Sequence, residues 1–461
     1  MDELKNIQKI YFIGIGGIGM SALARYFRFH GKQVSGYDKT KTELTKQLEA
    51  EGIPIHYEEN IELAPKDAQW IVYTPAVPSD HKELAYYRSN NYAILKRSDV
   101  LGVITNSSFN ICVAGTHGKT TVSTMIAHLL RDSGYGCNAF LGGISVNYQS
   151  NFWSDKKNVC VIEADEYDRS FLKLSPDIAV ITAMDADHLD IYGTEEAVEN
   201  AFIDFSGKVK PNGLLLSKKG LRRSNDLKAK SRMNYSLDDS GADIYANNIG
   251  ISGGSYSFDI VSQDWSLDDC QLNMGGLHNI ENAVVSIAVA HRLGIDDAKI
   301  KKAIASFRGV KRRFEYILPP TEAGGPIYID DYAHHPEELK ALISSAKNLF
   351  PEKKCVVIFQ PHLFTRTRDF ANGFAESLDL ADEVILLPIY PARESPIEGV
   401  TSNSIASKMR NAKVMQMDKQ DLLKQLKDFF PSAEETAKGL LITAGAGDID
   451  TLVNPIKKIF E

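Results

Sequence analysis

The chain has 461 residues, 43% of them apolar and 24% charged. At roughly 150 residues per domain this is about three globular domains, and it excludes disorder, collagen and coiled coil. The formal net charge of -8, from 52 basic and 60 acidic residues, argues against bulk attraction to nucleic acid or anionic lipid. No apolar run reaches the roughly 18 residues that a membrane-spanning helix needs, and the start, Met1-Asp2-Glu3-Leu4-Lys5, lacks the basic opening of a signal peptide. The five cysteines (Cys112, Cys137, Cys160, Cys270 and Cys355) are odd in number and form no C-x-x-C pair. That speaks against a disulfide framework or zinc ribbon and for a reducing, cytoplasmic setting.

The elements open as β-α-β. Lys9–Ile13 is an apolar run, followed at once by glycines. Met20, Leu23, Ala24 and Phe27 then fall on one helical face, and Gly31 stops that helix before a strand over 33–37. Helices around 41–50 and 81–88 and a strand at 69–73 continue the alternation. A second block begins with a strand at 109–114 and a helix from Thr120 to about Ser133, ended by Gly134; strands recur at 158–163 and 178–182. Residues 232–275, short alternating runs broken by Gly, Asn, Asp and Ser, predict a small antiparallel subdomain. The third block places strands at 326–330, 354–359, 383–387 and 440–443 with helices between. The boundaries fall near 106 and 311, giving domains 1–106, 107–311 and 312–461. The fold class is α/β, with three domains and mostly parallel sheets.

Chemistry concentrates at the ends of these strands. Gly14-x-Gly16-x-x-Gly19 sits between a strand and a helix, with Asp38 at the distance of a dinucleotide fingerprint. It predicts a nucleotide diphosphate at a helix N-terminus, without specifying NAD. Gly115-Thr116-His117-Gly118-Lys119-Thr120-Thr121 is a shortened phosphate loop, with Val113 where the longer pattern has glycine. Its backbone N–H groups would surround phosphate oxygens, with Lys119 on the β/γ charge and the Thr120 hydroxyl on Mg²⁺. Glu163-Ala164-Asp165-Glu166 and Asp185-Ala186-Asp187-His188 follow the next two strands, where a carboxylate and a histidine could meet a metal beside the phosphates. Further on, the polar face of a helix opened by Gly276 to Ala283 could cover a base or ribose. Arg312-Arg313 could face a transferring phosphoryl group. Asp330-Asp331-Tyr332-Ala333-His334-His335 and Gln360 to Arg368 end two strands of the third block. A zinc cluster at the histidines lacks both neighbouring cysteine and an H-x-x-x-H helix. The residues alone define metal-assisted phosphoryl transfer from ATP to a group carried by the first ligand, with the acceptor left open.

In this combination and order the chain resembles the muramyl (Mur) ligases of peptidoglycan synthesis. The matching segments are Gly14 to Met20, Gly115 to Thr121, Glu163 to Glu166, Asp187-His188, Gly276-x-His278-Asn279 with Asn282, Val310 to Phe314, Asp330 to Tyr332 with His334-His335-Pro336, Gln360-Pro361-His362 with Thr365-Arg366-Thr367, and Pro388-Ile389-Tyr390. The resemblance implies UDP-N-acetylmuramate in the first domain, held by Gly14, Gly16, Gly17, Gly19, Met20 and Asp38, with Thr74 and Arg97 as further contacts. It implies ATP in the second domain, with Lys119 on the phosphates, Thr120, Glu163 and His188 holding Mg²⁺, and His278 and Asn282 flanking adenine. Arg313 and Asp331 would contact the nucleotide, and Tyr332, His362 and Arg366 would lie near the amino acid. Lys119, Glu163, His188 and Arg313 would carry catalysis. The implied reaction joins L-alanine to the muramyl carboxylate through an acyl phosphate, in a monomer or homodimer. The sequence departs from the family's usual residues at Ala183, Ala333 and Leu363-Phe364, which bears on amino-acid contacts and not on the reaction. A sister ligase attaching a recovered peptide to the same sugar nucleotide, an NAD-dependent oxidoreductase and a non-catalytic nucleotide-binding regulator are the alternatives. Strictness toward L-alanine and feedback control are not legible.

Overall fold

The computed structural model describes residues 3–185, 189–321, 324–392, 394–411, 413–430 and 432–461. They form two compact units. The first comprises Met1–Asn247, Ile260–Leu267 and Glu281–Ile304; the second comprises Asn248–Asp259, Asp268–Ile280 and Ala305–Glu461.

The first unit begins with β1 (Lys9–Ile13), β2 (Gln33–Tyr37), β3 (Ile55–His56), β4 (Trp70–Tyr73) and β5 (Ala93–Lys96), in sheet order β3-β2-β1-β4-β5. All the pairings are parallel. The order reverses beside β1, so a crevice opens at the carboxyl ends of β1 and β4, where open α/β sheets bind ligands. The predicted Gly-loop helix runs Ile18–Phe29, and Gly31, at φ +76°, turns the chain away. The short strand β5, with no turn glycine or proline before it, was not apparent in the sequence.

Next come β6 (Phe109–Ala114), β7 (Asn138–Ser145), β8 (Ser150–Trp153), β9 (Val159–Glu163), β10 (Ile178–Ile181) and β11 (Leu214–Lys218), then β12 (Arg232–Ser236), β13 (Ile244–Ser252), β14 (Ser255–Ser262) and β15 (Ser266–Leu272). Their order is β15-β14-β13-β12-β11-β10-β6-β9-β7-β8. The parallel core around β6 carries the helix Lys119–Asp132 from its carboxyl end. Strand β12 pairs in parallel with both β11 and β13. The antiparallel character of 232–275 therefore begins only at the β13–β14 hairpin, whose two-residue turn, Gly253-Gly254, has φ +57° and +80°. The helix Ile18–Phe29 packs on β7 and β8: Tyr26 lies 5.2 Å from Phe140 and 6.4 Å from Phe152, ring centre to ring centre. Arg25, with Glu51 on one side, donates to Asn151 Oδ1 at 2.9 Å, and Asn151 donates back to the Ile18 carbonyl at 2.5 Å.

The second unit is built on β16 (Glu315–Leu318), β17 (Ile327–Asp331), β18 (Lys354–Phe359), β19 (Glu383–Leu386), β20 (Lys413–Gln416) and β21 (Gly439–Ala444), in order β16-β17-β21-β18-β19-β20. Only β16 runs antiparallel. As the sequence predicts, Pro336 opens a helix (Pro336–Leu349) with Glu337 and Glu338 in its first turn. All five cysteines are buried and none forms a disulfide.

Candidate active site

The Gly loop is folded by its own strand ends. The N–H groups of Gly14 and Ile15 donate to the Tyr37 carbonyl at 2.8 and 3.0 Å. Gly14 sits at φ +82°, and a Cβ there would lie 2.9 Å from Thr74 Cγ2. A Cβ on Gly19 would lie 2.8 Å from an Arg97 nitrogen. Only glycines let Thr74 and Arg97 close on this loop. Asp38 accepts from the Gly16 N–H at 2.7 Å and from the Thr40 N–H at 3.0 Å. Its carboxylate thus holds the loop itself, a use that the spacing alone does not reveal.

The phosphate loop follows β6. Gly115 (φ +139°) could not carry a side chain, because its Cβ would stand 2.1 Å from Thr182 Oγ1. Thr182 also accounts for the loop's shape: its hydroxyl donates to the carbonyls of Ala114, at 3.2 Å, and His117. No motif marks it beyond its position at the end of β10. Gly118, at φ +80°, caps the helix that starts at Lys119. The Lys119 ammonium donates to the Gly115 carbonyl and to Glu166 Oε1, both at 2.7 Å. The Thr120 hydroxyl donates to Glu163 Oε1 at 2.9 Å, and the Gly142 N–H donates to Glu163 Oε2 at 2.8 Å. Thr116 exchanges hydrogen bonds with Asp185, and His117 lies 3.9 Å from the Asp185 carboxylate on the open side of the loop. Thr121 is buried in the first helical turn. Asn282 Oδ1 lies 3.3 Å from where a Gly118 Cβ would be. Asp187 and His188 lie outside the described residues.

The Gly loop and the end of β9 share one cavity, which the phosphate loop meets only through Glu163. A space of about 300 Å³ is lined by Gly17, Gly19 and Met20 of the Gly loop, by Thr74 and Arg97, and by Gly142, Glu163 and Asp165 of the second block. Arg97 and Asp165 approach to 3.7 Å across it. Phe140 and Leu141 also line it, a contribution invisible in sequence because β7 reaches the Gly loop only through helix packing.

In the second unit, Asp330 and Asp331 end β17. Asp330, 1% exposed, accepts from Thr443 Oγ1 at 2.6 Å and from Arg312 at 3.3 Å; burial pushes its carboxyl up to about 7, against the pull of Thr443 and Arg312. Asp331 accepts the N–H groups of Phe314 (2.6 Å) and Ala333 (2.7 Å); burial raises its carboxyl and Arg313 opposes this. Arg312 and Arg313 lie 5.1 and 5.4 Å from the centre of the Tyr332 ring. His362 stacks on Tyr390 at 5.8 Å and lies 6.3 Å from His334. Arg366 occupies the helix Phe364–Asp369, which starts after Leu363 at φ +68°, a strained backbone for a branched residue. Burial lowers the His334 pKa. His278 lies in the first turn of the helix Leu277–Arg292, where the Asn279 amide donates to the Gly275 carbonyl at 2.6 Å. Within its unit the structure thus brings Tyr332 together with Arg312 and Arg313, and His362 with His334 and Tyr390.

A glycine-loop sheet followed by a sheet that carries the Gly115–Thr121 loop, with a third, mostly parallel sheet in the second unit, is the layout of a multidomain α/β nucleotide-binding protein. Family models match throughout: "Mur ligase family, catalytic domain" over 9–108, "Mur ligase middle domain" over 113–290 and "Mur ligase, glutamate ligase domain" over 312–449. The chain belongs to the Mur ligase family. It is 46% identical over 462 residues, 99% of each chain, to a UDP-N-acetylmuramate--L-alanine ligase of Flavobacterium johnsoniae. It is 48% identical over 460 residues, 98% of each chain, to the enzyme of that name from Phocaeicola vulgatus. Among solved structures it is similar to a UDP-N-acetylmuramate-alanine ligase of Thermotoga maritima, with TM-score 0.80 and 29% identity over 98% of this chain and 99% of the other.

Proposed function

We infer that the chain is an ATP-dependent ligase that joins L-alanine to the carboxylate of UDP-N-acetylmuramate, a step of peptidoglycan precursor synthesis. The full-length relatives support the reaction, and the cavity between the Gly loop and Glu163, which is hydrogen-bonded to Thr120 of the phosphate loop, supports its layout. A sugar nucleotide whose diphosphate rests on Gly14 to Met20, beside Thr74, Asp38 and Arg97, would extend its acid toward Glu163 and the phosphate loop.

The residues then divide the work. Lys119, with the N–H groups of Gly115 to Thr121, would grip the ATP phosphates, and Asn282 would bound the loop near Gly118. Thr120 and Glu163 present hard oxygen donors side by side, the donor chemistry that Mg²⁺ prefers. With His188, they are assigned to that ion. Bound there, Mg²⁺ would neutralise charge on the β- and γ-phosphate oxygens. The muramyl carboxylate attacks the γ-phosphorus in line, ADP leaves, and the resulting acyl phosphate is attacked by the alanine amine, releasing phosphate and leaving an amide. Little covalent work falls to the protein: placement and charge compensation by Lys119 and Arg313 dominate. His278 and Asp331 keep the nucleotide contacts, and Tyr332, His362 and Arg366 the amino-acid contacts, that the family resemblance implies. No helix among the described residues is long and apolar enough to cross a membrane. The buried cysteines, none of them in a disulfide, support a cytoplasmic enzyme; it would act as monomer or homodimer.

The experiment is phosphate release from ATP with UDP-N-acetylmuramate and each candidate amino acid in turn. Release that requires both the sugar nucleotide and L-alanine is expected. Nicotinamide reduction without ATP use, or release that requires a tripeptide instead, would overturn the assignment.

A further inference from the structure

The three carboxylates of Glu163-Ala164-Asp165-Glu166 go three different ways. Glu163 meets Thr120 and Gly142, Asp165 meets Arg97, and Glu166 meets Lys119. The first two line the cavity and the third does not. Glu166 is 1% exposed, and its backbone is pinned: its carbonyl accepts from the Tyr192 hydroxyl at 2.6 Å and from the Arg169 N–H at 2.9 Å. A buried ion pair is weak evidence of stabilisation, because desolvation offsets the attraction. What it does supply is direction. An ammonium carries three donors. Two of them, on Lys119, go to fixed oxygens 2.7 Å away, the Gly115 carbonyl and Glu166 Oε1, and the third is left for a phosphate.

We propose that Glu166 is a positioning residue that tethers Lys119 and sets its remaining donor for the transferring phosphoryl group before ATP arrives. This rests on the reading of the Lys119 loop as the ATP site. Burial pushes the Glu166 carboxyl up, and the Lys119 charge and hydrogen bond oppose this. An untethered ammonium still attracts ATP, and without the neighbouring negative charge it attracts ATP no less. What it loses is orientation in the transition state, where a misplacement of about 1 Å costs about 100-fold. A kcat effect without loss of nucleotide affinity is therefore the signature, whereas mere structural damage would weaken both.

The test compares Glu166→Ala, Glu166→Gln and Lys119→Ala with the intact full-length enzyme. Turnover is read by phosphate release with UDP-N-acetylmuramate, L-alanine and Mg²⁺, and affinity by titration with a non-hydrolysable ATP analogue. For Glu166→Ala, kcat should fall about 10- to 100-fold with analogue affinity at least that of wild type. Glu166→Gln, whose amide oxygen still accepts from Lys119, should recover part of kcat. Wild-type kcat in Glu166→Ala, affinity falling in step with kcat, or Gln no better than Ala would each overturn the tether. If Lys119→Ala itself leaves analogue binding and turnover intact, the underlying ATP-site reading fails instead. Should the Ala variant not fold, the Gln variant carries the same test, with a partial kcat loss at unweakened affinity.

Discussion

Lys119 reaches back to the carbonyl of its own loop and forward to the end of the neighbouring strand, so its charge is placed by two elements rather than one. Lys119→Ala is expected to lower kcat by about 10²- to 10³-fold or more while binding of UDP-N-acetylmuramate, measured by calorimetry, survives; the Gly-loop contacts lie on a separate sheet. Loss of sugar-nucleotide binding in that variant would contradict the assignment. Asp330 offers a second check. Its carboxyl titrates near 7 in the folded chain against 3.8 ordinarily, so the folded state holds more protons than the unfolded state between about pH 4 and 7. Stability therefore falls as pH rises through that window. The Asp330→Asn variant lacks this term, and its Tm deficit relative to wild type should shrink between pH 5 and pH 8. A deficit independent of pH would show that Asp330 is ionised in the fold throughout.

At the scale of elements, the glycines decide where loops and strands can touch. Gly115→Ala would drive a methyl into Thr182 Oγ1 and to 2.8 Å from the Ala183 nitrogen, at φ +139°. Because that nitrogen is backbone, no rotamer relieves the contact. Strain of about 1–3 kcal/mol and loss of ATP-analogue binding are expected, with UDP-sugar binding retained; unchanged analogue affinity would show that the loop is not the nucleotide site. Tyr26 fixes the Gly-loop helix on β7 and β8. Replacing it with alanine should cost about 3–5 kcal/mol in denaturant unfolding, by analogy with buried aromatic truncations, and raise KM for the sugar nucleotide more than for ATP. Strands such as β1, β6 and β18 were legible because their apolar runs end in glycine or polar residues. Strands β5, β8 and β16 were not, because they are four-residue segments at sheet edges, too short for an alternating pattern to show.

For the whole molecule, selection among small amino acids should be modest. One methyl or hydroxyl in such a pocket is worth about 1–3 kcal/mol, so kcat/KM for L-alanine should exceed that for glycine or L-serine by about 10- to 200-fold, as read by phosphate release. A preference beyond that range would require a polar contact that Tyr332, His362 and Arg366 alone do not explain. The three α/β blocks, the two glycine loops and the carboxylates that follow the next strands are readable from the order of residues. Those are local patterns in which turn geometry and helix N-termini demand particular residues within a short span. It takes the folded chain to show that Arg97, Glu163 and Gly142 line one cavity, that Asp38 braces its own loop and that Glu166 holds Lys119. Each of these depends on strands adjacent in a sheet but far apart along the chain, and side-chain contact across a sheet leaves no periodic trace in the order of residues.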